Sequence, residues 1–157
     1  MLSDMESDAD EQLRIIERAE AAPYVSYPKT PWWYPPVAGL WVAALIAAFT
    51  WWRDDSLLFL GSLVVLLAVE VVFVTWMQRR HGAMPFPGRG RPPREIGRIW
   101  TRYFLAVPVL VLAVGLIWWL AGVPAAAVAA FVLVTAGLWY YERRYAIAAA
   151  KVRERLA

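Results

Sequence analysis

The stretch LLFLGSLVVLLAVEVVFVTWMQ, residues 57–78, decides the fold. As an α-helix these 22 residues rise about 33 Å, which matches a bilayer hydrocarbon core about 30 Å thick. A soluble domain rarely carries so long an apolar run, because it cannot bury the whole circumference of such a helix. We therefore expect this stretch to cross a membrane.

Three further apolar runs have similar lengths, and the chain of 157 residues is 61% hydrophobic but only 18% charged. The sequence predicts spans at about 35–53, 56–78, 99–121 and 124–142. The turns RDDS and AGVP between successive spans are short enough to require antiparallel hairpins. We predict an all-α integral membrane protein whose core is a four-transmembrane-helix antiparallel bundle.

The distribution of positive charge predicts the orientation. Fifteen of the sixteen Lys and Arg residues fall on one side of the predicted spans, and Arg53 alone falls on the other. The positive-inside rule then places both termini in the cytoplasm. We expect a multi-pass protein of the bacterial cytoplasmic membrane with three parts, namely an N-terminal segment 1–34, a membrane domain 35–142 with a basic cytoplasmic loop 79–98, and a basic tail 143–157.

Both ends of the chain are predicted to form short cytoplasmic helices. The N-terminal one is acidic, with seven acids and two arginines in residues 1–20, and Ala9, Leu13 and Ile16 share one face. The tail is basic, so the two helices could pair by charge. A solvated helix at each end is the alternative that the sequence leaves open.

Aromatic and basic residues gather at the predicted membrane boundaries, where tryptophan, tyrosine and arginine are expected to meet head groups. The predicted interfacial anchors are Trp32, Trp33, Tyr34, Trp51, Trp52, Trp118 and Trp119. The predicted contacts with anionic lipid head groups are Arg79, Arg80, Arg94, Arg98, Arg102, Arg143 and Arg144. Paired tryptophans and paired arginines recur in both hairpins, through either an internal duplication or the shared demands of a membrane boundary.

A Pro- and Trp-rich segment, PWWYPP at Pro31–Pro36, leads into the first span. Pro35 and Pro36 suit the first turn of a helix. With the preceding acidic helix, this segment resembles uncharacterised small four-span bacterial membrane proteins with a Pro-Trp-Tyr-x-Pro element before their first span. That resemblance covers most of the chain and implies no activity. PWWYPP alone is also similar to an element of the tryptophan-rich sensory proteins, which have five spans.

Glu70 is the only acidic or basic residue well inside a predicted span. It lies nine residues before Arg79, about 13 Å from the boundary, and no cation is expected at its depth. Thr135 on the fourth span is predicted to lie at matching depth, so Glu70 and Thr135 form a candidate intramembrane polar site. Glu70 could tie helices together by hydrogen bonding, or it could bind a proton or cation during transport.

The sequence carries no pattern typical of an enzyme. It has no cysteine and a single histidine, and no nucleophile stands beside a base. We expect no catalytic residue, metal or cofactor, and no nucleic-acid partner. The expected function is that of a non-enzymatic accessory or assembly subunit that binds another membrane protein or forms a homo-oligomer. The alternative is a small oligomeric transporter or channel that uses Glu70 to couple protons or cations.

Overall fold

The computed structural model describes residues 2–26, 30–81 and 92–156, and these residues are helical apart from short turns. The helices are α1 (Leu2–Val25), α2 (Tyr34–Ala48), α3 (Ser56–His81) and α4 (Arg94–Leu156), with a 3-10 turn at Phe49–Trp51. No strand occurs among the described residues, so the predicted all-α class is confirmed. Residues 82–91, the middle of the predicted basic loop, lie outside the described residues.

Three helical segments are long and apolar enough to cross a membrane, judged by length and composition within the described residues. They are Tyr34–Trp51, Ser56–Arg80 and Arg94–Leu156. The helices at the two ends differ from the predicted short ones. The N-terminal helix α1 has 24 residues, and the tail continues α4 without a break to Leu156.

Helix α4 is 63 residues long and folds back on itself at Gly122, which has φ 82° and ψ 178°. We call residues 94–121 its first arm and residues 123–156 its second arm. The arms lie side by side, because the rings of Tyr103 and Tyr141 are 5.0 Å apart between centroids. A straight helix would separate these two residues by about 57 Å. The break at a single glycine lets one long apolar segment form a hairpin.

Helix α2 lies between α3 and the second arm of α4. Gly39 allows the close approach to the second arm, because a Cβ at this position would meet Thr135 Oγ1 and lie 2.8 Å from the Phe131 carbonyl oxygen. Ala126 and Ala130 are fully buried on the second arm, in a cluster with Val114. These are contacts between small residues of the kind that helices use in lipid.

Within the part of the chain that the structure describes, the backbone of α3 approaches α2 and the 3-10 turn most closely. Among the described residues, no Cα of α3 lies within 8 Å of a Cα of α4. The Trp41 indole Nε1 donates to the Leu66 carbonyl at 3.2 Å, which ties α2 to the middle of α3. The side of α3 that faces α4 therefore borders a gap.

Local sequence explains where α2 and α3 begin. Pro35 and Pro36 occupy the first turn of α2, as predicted. Asp55 caps α3 by accepting from the backbone N–H groups of Leu57 and Leu58 at 3.1 and 3.0 Å. We call the end of the helices at this turn and at Gly122 the turn end, and the opposite end, with Arg102 and Arg144, the basic end.

Candidate functional site

A cavity of about 610 Å³ lies between α2, α3 and both arms of α4, in the half of the helices nearer the basic end. It exists because α3 stands off from α4 while α2 contacts both. Its volume falls within the range of about 300–1,000 Å³ that is typical of ligand sites. Most of its lining is apolar, and this lining includes Val37, Trp41, Val107 and Leu138.

The few charged residues of the cavity are separated along its length. Glu70 lines the deep part, beside Val69 on α3. Arg102 and Arg144 line the basic end, one from each arm of α4. We call the end of the cavity at Arg102 and Arg144 its mouth, and the apolar lining between the mouth and Glu70 its shaft. The cavity therefore has a cationic mouth, an apolar shaft and a carboxyl group at its deep end.

The structure separates the two residues of the predicted polar site. The Thr135 side chain is buried where Gly39 lets α2 approach, and its Oγ1 has no hydrogen-bond partner. Thr135 therefore makes no hydrogen bond with Glu70 in the structure. Glu70 is half-buried and lines the cavity instead.

The guanidinium of Arg144 is held in place at the mouth. It lies over the Tyr140 ring at 5.2 Å from the centroid, and its Nε donates to the Tyr140 hydroxyl at 3.1 Å. Tyr140 also lines the cavity. This bond uses only Nε. The two Nη groups therefore stay available to donate a pair of hydrogen bonds to one anion.

The other predicted head-group arginines lie outside the cavity lining. Arg80 stacks on Trp76 at 5.1 Å, on the exposed surface of α3. The remaining four are exposed at the basic end: Arg79, Arg94, Arg98 and Arg143. Of the seven predicted contacts, the structure thus brings together only Arg102 and Arg144.

The aromatic anchors divide between the two ends of the helices. At the basic end Trp32 is 80% exposed, whereas the rings of Trp33 and Tyr34 pack against Phe73 of α3 at 6.2 and 6.1 Å. At the turn end Trp118 contacts Phe49 at 5.2 Å. The other three tryptophans at this end are exposed: Trp51, Trp52 and Trp119.

Beyond the basic end, α1 packs against the last turns of α4. We call this pair, α1 with residues 145–156, the α1 platform. Tyr24, near the end of α1, is buried against Trp100 and Ala148 of α4. The side chains of Ala9 and Leu13 from the predicted stripe lie outside the described residues. The polar contacts are Tyr145 Oη donating to the Tyr24 carbonyl at 2.9 Å, Arg18 donating to the Leu156 carbonyl at 2.8 Å, and an Arg155–Glu17 ion pair at 3.1 Å.

These contacts confirm that the basic tail pairs with the acidic helix, the first of the two alternatives. Two large apolar side chains of α1 stay exposed beside these contacts. Ile15 is 58% exposed and Ile16 is 55% exposed. Sequence reasoning missed this buried face because it considered only the charge of residues 1–20 and the stripe of Ala9, Leu13 and Ile16, and not Tyr24. The spacing of Ala21 and Tyr24 is the signal that could have found it, since residues three apart share a helix face.

No family model matches the chain, and no curated protein or solved structure matches it either.

Proposed function

We propose that this chain is a four-span membrane protein that serves as a non-enzymatic accessory subunit of a larger membrane complex. The observation that carries the proposal is the pair of exposed isoleucines, Ile15 and Ile16, on an acidic helix that is fixed to the rest of the molecule. Exposed apolar side chains that lie together mark interaction sites more often than scattered ones do, and Ile15 and Ile16 are adjacent on α1.

The length and the break of α4 support four spans. A straight helix of 63 residues would extend about 95 Å, three times the hydrocarbon core of about 30 Å. The break at Gly122 divides it into two arms, each long enough to cross once. With α2 and α3, the arms supply four crossings in an antiparallel arrangement.

The charges support the orientation. The basic end and both termini belong to the side that carries fifteen of the sixteen Lys and Arg residues, which is the cytoplasmic side by the positive-inside rule. The turn end, with Arg53 beside Asp54 and Asp55, then faces out of the cytoplasm. The α1 platform accordingly lies in the cytoplasm, at the inner surface of a bacterial cytoplasmic membrane.

The charge of α1 identifies the kind of partner. Seven acids against two arginines in residues 1–20 repel an anionic leaflet, so lipid is a poor cover for Ile15 and Ile16. The same charge attracts a basic protein segment. The partner is a larger membrane protein that places a basic, partly apolar cytoplasmic segment against α1.

A photo-crosslinking residue at Ile16 tests this function in intact membranes. We expect it to capture one larger membrane protein, through a peptide of net positive charge, and that protein to copurify with the wild type in constant ratio. The double variant Ile15→Ser, Ile16→Ser should weaken copurification at least about tenfold, since two apolar contacts are lost. The control is Leu57→Ser, because Leu57 is 82% exposed at the turn end, away from the α1 platform. Capture of a second copy alone, or equal loss in the control, would contradict the proposal.

A second candidate function is proton- or cation-coupled transport, and the position of Glu70 on the cavity wall favours it. Glu70→Gln keeps hydrogen bonding but cannot release a proton. If the chain transports, this variant in vesicles should lose pH-driven flux while its melting temperature in detergent stays within a few degrees. Unchanged flux, or flux absent from the wild type, would remove this candidate.

A further inference from the structure

The cavity at the basic end has the properties of a site for a single lipid. We infer that it binds one anionic phospholipid of the inner leaflet, with the phosphate at Arg102 and Arg144 and an acyl chain in the apolar shaft. The inference rests on the proposed membrane orientation but not on partner binding at α1.

The depth of the cavity matches one leaflet. Along the first arm its lining runs from Ile99 to Leu110, a rise of about 16 Å. This is about half of the hydrocarbon core of about 30 Å. A lipid whose head group lies at the basic end would therefore reach the deep part of the cavity with its chains.

The charge at the mouth matches a phosphodiester. Arg102 and Arg144 come from different arms of α4 and line the same cavity, so they can approach one anion from two sides. Arg144 is oriented by its bond to Tyr140. Arginine forks bind phosphate oxygens by paired hydrogen bonds, and this favours anionic over zwitterionic head groups, whose choline would also meet two cations.

The shaft distinguishes a lipid from free phosphate. Inorganic phosphate would use only the mouth, whereas an acyl chain also covers the apolar lining between α3 and the arms of α4. The gap there is wide enough that the backbones of α3 and α4 stay more than 8 Å apart at every described Cα pair. An acyl chain in this gap would contact both α3 and α4.

Glu70 lies beside the chain and away from the phosphate. Covering a carboxyl group with hydrocarbon costs free energy, so Glu70→Leu should leave lipid binding unchanged or strengthen it. This separates the lipid site from transport, in which Glu70 would be essential.

Native mass spectrometry of the full chain in mild detergent tests the inference. With dioleoyl phosphatidylglycerol we expect one bound lipid per chain, bound at least about tenfold more tightly than dioleoyl phosphatidylcholine. Arg102→Gln and Arg144→Gln should each weaken the binding of phosphatidylglycerol roughly tenfold, as expected for loss of a charge-assisted contact. The matched controls are Arg94→Gln and Arg98→Gln, which change exposed arginines on the first arm of α4 that do not line the cavity.

Two further measurements test the apolar shaft and the phosphate contact separately. Ala106→Phe narrows the shaft and should reduce lipid binding without touching the arginines, with thermal melting as the check of folding. Millimolar inorganic phosphate should not displace the lipid. Equal binding of the two lipids, equal loss in the controls, or full displacement by inorganic phosphate would each overturn the inference. Loss of the partner through Ile15 and Ile16 should leave lipid binding unchanged, so the two proposals can fail separately.

Discussion

Replacing Gly122 with alanine is expected to lower the free energy of unfolding by about 1–3 kcal/mol. The residue has φ 82° and ψ 178°, a conformation that is almost confined to glycine, so a Cβ makes the turn strained. The turn holds the two arms of α4 together, and the strain acts on the whole hairpin. Chemical denaturation of the purified chain in detergent, followed by circular dichroism, measures the change.

Gly115 supplies the control for this variant. It lies in the helical part of the first arm, and a Cβ there would meet nothing within 4 Å. Gly115→Ala should be neutral or stabilising by up to about 1 kcal/mol, because alanine favours helix. If both variants behave alike, the conformation at Gly122 does not determine the hairpin.

Gly39→Ala is expected to destabilise the contact between α2 and the second arm of α4 by about 1–3 kcal/mol, the usual cost of overpacking. The added Cβ would collide with Thr135 Oγ1 and lie 2.8 Å from the Phe131 carbonyl oxygen. A side chain can rotate away, but a helical carbonyl cannot, so the two helices must separate. The same denaturation experiment measures the change in the free energy of unfolding.

Two further variants sharpen the test of the Gly39 contact. Gly61→Ala on α3 is the matched control, because nothing lies within 4 Å of a Cβ there. Thr135→Ala combined with Gly39→Ala should restore only part of the stability, since the Phe131 carbonyl remains. Full stability in the single Gly39→Ala variant would show that α2 and the second arm do not approach this closely.

The apolar helices and their ends could be predicted because length, charge and proline positions act locally. The run 57–78 lies within α3, and Pro35 and Pro36 open α2. The turn predicted at AGVP, residues 121–124, contains the break, because Gly122 leaves the helical conformation and divides α4 into its two arms.

The candidate site was only partly predictable. The sequence identified Glu70, Arg102 and Arg144, but it could not show that all three line one cavity. That depends on how each helix is rotated about its axis and on which helices are neighbours. Thr135 illustrates the same limit, because its depth matched that of Glu70 while its side chain was already committed to the contact with Gly39.

The side of the membrane on which each turn lies tests the four-span account most directly. The chain has no cysteine, so Asp54→Cys, Ala121→Cys, Arg98→Cys and Glu154→Cys can each be labelled alone with a membrane-impermeant maleimide. We predict that positions 54 and 121 react in intact cells, and that positions 98 and 154 react only after the membrane is permeabilised. Labelling of position 154 in intact cells, or protection of position 121 while position 54 reacts, would contradict four spans with both termini in the cytoplasm.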